Sequence, residues 1–143
     1  MSNKLAKPQT NDIIIDDGSK VYNIKNKRGE ILGKFTFRPS DTNIVNRYEE
    51  VVEFFNSFKM PEDTEQAIKV AEKEMTEKMS YLIGGGAGEA LFSIMGAFSA
   101  LASGELFVEN VLGAVANVIE RELSVRTKRV QRRMNKYVAK YHK

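Results

Sequence analysis

The chain has 143 residues, of which 42% are hydrophobic and 29% charged, proportions that describe one ordinary globular domain with enough apolar material for a core. It contains no cysteine, which excludes disulfide frameworks and thiolate metal sites. The net charge of +3 conceals an asymmetry: residues 41–80 hold ten acidic and five basic side chains, whereas residues 123–143 hold eight basic and none acidic. Such a chain permits attraction to an anionic partner or association between copies, without choosing between them.

Residues 1–11 are polar, include Pro8 and read as a flexible lead-in; they lack the apolar stretch of a secretion signal, so an intracellular location is expected. Residues 12–143 read as a single domain, with strand chemistry over 12–40 and helical periodicity over 41–143. Val21, Tyr22 and Ile24 precede "NKRGE", and Ile31, Leu32, Phe35 and Phe37 follow it, which predicts a hairpin turning near Gly29. Ile13, Ile14 and Ile15 offer a third strand ahead of the Asp17-Gly18 turn. Pro39 closes the strand region because it removes a backbone donor.

Ser40, Asp41 and Thr42 supply helix-capping chemistry, and Ile44, Tyr48, Val51, Phe55 and Phe58 then recur at alternating spacings of four and three. Pro61 ends that helix, and Glu62, Asp63 and Thr64 open a second whose apolar positions are Ile68, Ala71, Met75, Met79 and Leu82. Next comes "YLIGGGAGEALFSIMGAFSALASG", residues 81–104, interrupted by a single charge at Glu89. Its two uncharged pieces are each shorter than the ~20 residues of a membrane span. No Lys-Ser or Lys-Thr pair follows the glycines, and Leu91 stands where a dinucleotide fingerprint needs its third glycine, so phosphate binding is excluded. The glycines predict a loop launching a third helix over roughly Glu89 to Ala102, apolar nearly all round and therefore enclosed by other elements or subunits. Gly104 ends it.

From Glu105 onward Val108, Leu112, Val115, Ile119 and Leu123, then Val130, Met134, Tyr137 and Tyr141, keep helical spacing except at Arg126, where the series is polar. Arg126, Arg129, Arg133, Lys136 and Lys140 repeat at three and four beside the later apolar positions, forming a cationic stripe. The fold class that follows is α+β, mostly α-helical: an N-terminal β-hairpin or small antiparallel sheet followed by about four helices, the last of them basic.

No catalytic centre emerges. The single histidine, His142, lies at the penultimate position among lysines, no nucleophile sits beside a base, and paired acids such as Asp16-Asp17, Glu49-Glu50 and Glu72/Glu74 fall on turns and helix faces. The chain therefore reads as a non-enzyme with no cofactor and no metal. Candidate protein-binding residues are Leu91, Phe92, Met95 and Phe98 of the apolar helix, and Arg126, Arg129, Arg133, Lys136 and Lys140 of the basic stripe. Arg and Lys with Tyr137 and Tyr141 could also serve nucleic acid, but no recognised binding motif frames them. A membrane-surface helix would prefer Trp, Phe or Leu on its apolar face, where this one has Val, Met and Tyr.

With the hairpin "YNIKNKRGEILGKFTFRPSDTNIVNRYEE", the acidic helix after it and the ending "RTKRVQRRMNKYVAKYHK", the chain resembles the small tail assembly chaperones of long-tailed bacteriophages and prophages of Gram-positive hosts. The resemblance spans roughly residues 20–143 and rests on order and texture. It implies a non-enzymatic protein of the host cell cytoplasm that coats the aggregation-prone tape measure protein, helps the tail tube protein polymerise around it, and leaves before the virion is finished. The family has no catalytic residues to transfer. Two other functions fit the same residues: a structural subunit of a phage particle that self-associates through its acidic middle and basic tail, and a small nucleic-acid-binding protein using the basic helix.

Overall fold

The computed structural model describes residues 11–59 and 62–141; within the last helix its side chains are described through residue 125 and at Lys128. Residues 1–10 of the 1–11 lead-in, the helix break at Pro61 and the tail position of His142 lie outside the described residues. Among the described residues two strands and four helices follow one another, an α+β arrangement.

Strand β1 (Lys20–Lys25) pairs antiparallel with β2 (Ile31–Phe37), setting Tyr22 opposite Phe35 and Ile24 opposite Gly33, with a register slip between Ile24 and Lys25. The turn is closed by Asn26, whose side-chain oxygen accepts from the backbone N–H of Arg28 at 2.9 Å and of Glu30 at 3.0 Å. Alternation puts Tyr22, Ile24, Phe35 and Phe37 on one face, where the Tyr22 and Phe35 rings stack at 6.0 Å. Phe37 is fully buried; Val21 on the other face is exposed.

Ile13, Ile14 and Ile15 do not add a third strand, and their side chains are 88%, 94% and 73% exposed. Local hydrogen bonds compete with sheet pairing here. The Asp16 and Asp17 carboxylates accept from the N–H groups of Gly18 and Ser19, and Asp17 also pairs with Arg38 at 2.7 Å, so residues 16–19 form side-chain-held turns instead of a strand connection.

Helix α1 (Ile44–Ser57) starts beyond Asp41, whose carboxylate accepts from Asn43 N–H and from Arg47, both at 2.9 Å. It buries Ile44 and Val51, and its Tyr48 hydroxyl donates to the Leu112 carbonyl at 3.0 Å. Helix α2 (Glu65–Ile83) is capped by the Thr64 hydroxyl, which accepts from Ala67 N–H. Ala71, Met75, Met79 and Leu82 form its buried stripe. It ends where Gly84 and Gly85 take positive φ, a conformation other residues adopt at a cost.

Helix α3 spans only Ala87–Phe92, so the helix expected to reach Ala102 stops ten residues earlier. Residues 93–106 instead form turns with a short bridge between Ala100 and Leu106. Ser93, Gly96 and Ser99 are poor helix formers, and the non-helical path satisfies groups that a helix would not. The Phe98 N–H donates to the Glu72 carboxylate at 3.1 Å, while the carbonyls of Ser99 and Ala97 accept from Phe107 and Val108 N–H at 2.8 and 2.9 Å. The loop thus caps the first turn of α4 (Phe107–Tyr141). Along α4, Val108, Val111, Leu112, Val115 and Ile119 complete the core against Phe37, Ile44, Val51, Met75, Met79 and Leu82.

Candidate functional site

The hairpin lays its aromatic face over the beginning of α4 without closing on it along the whole length, and an open, mostly apolar groove of about 740 Å³ runs between them. Tyr22, Ile24 and Phe35 form one wall and Val111, Val115 and Val118 the other. Leu91, Ile94 and Met95 line one part of the groove, with Leu101 and Phe107 from the loop and helix start. The rim carries Lys25 and Lys27 on the hairpin and Glu105 at the loop. Consecutive residues from Tyr22 to Lys27 border the groove, so it follows β1 from Tyr22 onward into the turn as well as one of its faces. Each strand has a single partner in this two-stranded sheet, and alternate residues of β1 therefore aim N–H and C=O groups away from β2. Outside the turn end, Lys20 bridges β1 to Glu122 of α4. Burial, followed by the nearby Glu122 carboxylate, pushes the Tyr22 hydroxyl pKa above its ordinary value and keeps it neutral near pH 7.

The apolar residues singled out from sequence divide in this setting. Leu91 is buried and helps line the groove, and Met95 lies half-buried along it. Phe92 meets Phe107 edge to face at 5.9 Å, and Phe98 stacks on Phe58 at the same separation, so these two rings are held by internal partners. Arg126, Arg129, Arg133, Lys136 and Lys140 all fall on the α4 backbone, with their side chains outside the described residues. Tyr22, Ile24, Phe35 and Val118 were not singled out. For Tyr22, Ile24 and Phe35 the signal lay in the alternating face of the hairpin, which a sequence reading assigns to plain core; Val118 belongs to α4 and shows only the helical spacing of that element.

The acid pairs have local work. Asp16 and Asp17 hold their turn, and Ser19 and then Arg38 keep the Asp17 carboxyl well below the usual carboxylate range. Glu50 accepts from the Tyr81 hydroxyl at 2.6 Å, which raises the Tyr81 pKa. Glu72 receives the Phe98 N–H. Among the described residues no group of three or more His, Asp or Glu side chains is placed to hold a metal ion, and no helix is long and apolar enough to cross a membrane. Comparison of the chain with protein-family models, with curated proteins and with solved structures gives no match.

Proposed function

We propose that this chain is a phage tail assembly chaperone: a non-catalytic protein of the host cytoplasm that binds the tape measure protein and assists assembly of the tail tube around it. The observation that carries this reading is the reach of α4. Its 35 residues extend about 52 Å at 1.5 Å per residue, while its described core-packing side chains end at Leu123. Beyond that point the sequence repeats Val130, Met134, Tyr137 and Tyr141 alongside Arg126, Arg129, Arg133, Lys136 and Lys140. On a continuous helix these spacings make adjoining apolar and cationic stripes. A partner helix with an apolar seam and acidic flanks complements both, and long helical clients are the kind of chain that a coating protein must shield.

Co-expression with the tape measure protein tests this. The expected outcome is a soluble client with the wild-type chain and an insoluble one with Arg126→Glu, Arg129→Glu and Arg133→Glu combined. Continued precipitation of the client beside the wild-type chain overturns the proposal, as does retention of the chain in finished particles. Salt-sensitive retention on DNA, with no effect on the client, assigns the basic stripe to nucleic acid instead.

A further inference from the structure

The exposed isoleucines before β1 and the open groove beside β1 are complementary. We infer that the Asp12–Asp16 segment of a second copy of this chain lies along β1 as an added strand, with the exchange made reciprocally between two copies. The inference goes beyond the chaperone reading and does not depend on it, because it concerns the protein alone and a surface other than the α4 extension.

Several features of the structure carry it. Ile13, Ile14 and Ile15 are β-branched, consecutive and nearly fully exposed, which is strand chemistry left without a sheet. β1 has one strand partner and borders the groove from Tyr22 to Lys27, so its outward N–H and C=O groups offer pairing to an incoming strand. The side-chain parity also matches: with Ile13 and Ile15 turned toward the groove beside Tyr22 and Ile24, Ile14 falls on the outer face, where Val21 is 65% exposed. Finally, the charges agree. The isoleucines are bounded by Asp12 on one side and Asp16 on the other, and Lys25 and Lys27 stand at the turn end of the groove. Whichever way the strand runs, one acidic end falls beside these two lysines; Glu105 is the one acid on the opposite rim. The segment's length suits the site, since five extended residues span about 17 Å and the six of β1 about 20 Å.

The copy that supplies the strand is a second one because the turns over residues 16–19 leave each chain's own isoleucines in solvent, outside the lining of its own groove. Asp17 is tied to Arg38, and the Asp16 and Asp17 side chains hold residues 16–19 in turns, with the isoleucines facing solvent. An exchange of identical segments gives a closed two-fold pair.

Sedimentation of the purified whole chain across a range of concentrations should show a reversible dimer. Ile13→Asp with Ile15→Asp, at positions exposed in the single chain, should give a folded monomer with an unchanged circular dichroism spectrum. A wild-type chain that stays monomeric, or a double variant that stays dimeric, overturns the inference. The absence of native cysteine permits a direct second measurement with Ile14→Cys and either Val21→Cys or Asn23→Cys. Mixing two singly substituted chains under oxidation should yield a linked heterodimer. A link that forms only within one chain carrying both substitutions shows that the groove takes its own segment and overturns the exchange; so does a failure of either arrangement to link.

Discussion

Replacing Gly88 with alanine tests a close approach of α3 to α2 in the core. Gly88 is buried in α3, and its N–H donates to the Ser80 hydroxyl at 2.9 Å. A Cβ at this position would overlap the Thr76 carbonyl oxygen and stand 2.7 Å from Ser80 Oγ. The hydroxyl can rotate, but the carbonyl belongs to the α2 backbone and moves only with its helix. Overpacking against such a neighbour costs about 3 kcal/mol, from which the better helix propensity of alanine recovers under about 1 kcal/mol. The net loss is therefore about 2 kcal/mol. With ~2.1 cal/mol/K of unfolding entropy per residue over 143 residues, the melting temperature should fall by about 7 °C. Gly113→Ala is the matched control: it lies on an exposed face of α4 with no atom near its would-be Cβ, so the substitution should stabilise by about 0.5–1 kcal/mol. Urea unfolding followed by circular dichroism reads both, with an unchanged m-value. If Gly88→Ala unfolds within about 0.5 kcal/mol of the wild type, the close packing of α2 on α3 is not what requires glycine there.

Tyr48→Phe removes the hydrogen bond from α1 to the Leu112 carbonyl and should lower stability by about 1 kcal/mol, read as a lower urea midpoint. Burial, and then Glu120, raise the Tyr48 pKa above 10.0; its contribution is thus present below pH 10 and lost as pH rises through the folded-state value, a decline that Tyr48→Phe should reduce. Asp41 behaves in the opposite sense. The Asn43 N–H and then Arg47 hold its pKa below 3.8, so the stability it contributes is present above that value and lost as pH falls through the lower folded-state value. Asp41→Asn should therefore flatten the stability-against-pH curve below about pH 4, leaving the parts due to Asp17 and Glu30, and an unaltered acid limb would refute the assignment.

Much of this architecture was legible in the order of residues. The alternation of Tyr22, Ile24, Phe35 and Phe37 determined a hairpin and its buried face, and the spacing of Ile44, Tyr48 and Val51 and of Ala71, Met75, Met79 and Leu82 determined two amphipathic helices. Those signals are local: strand and helix periods follow from backbone geometry within a few residues. Gly84 and Gly85 likewise marked a break because positive φ is a property of the single residue.

Only the tertiary structure decided what became of residues 93–106. Their apolar composition suited a helix, but Glu72, twenty-six residues from Phe98 in sequence, supplies a hydrogen bond that no local pattern contains, and the Ala97 and Ser99 carbonyls are spent on the start of α4. The same holds for Phe92 and Phe98, which are partly covered by Phe107 and Phe58. It holds too for the groove, which exists because the hairpin and α4 approach each other over part of their length. Periodicity tells which face of an element is apolar; whether that face is closed, shared or left open depends on the distance to another element, and that distance is set by packing across the whole chain.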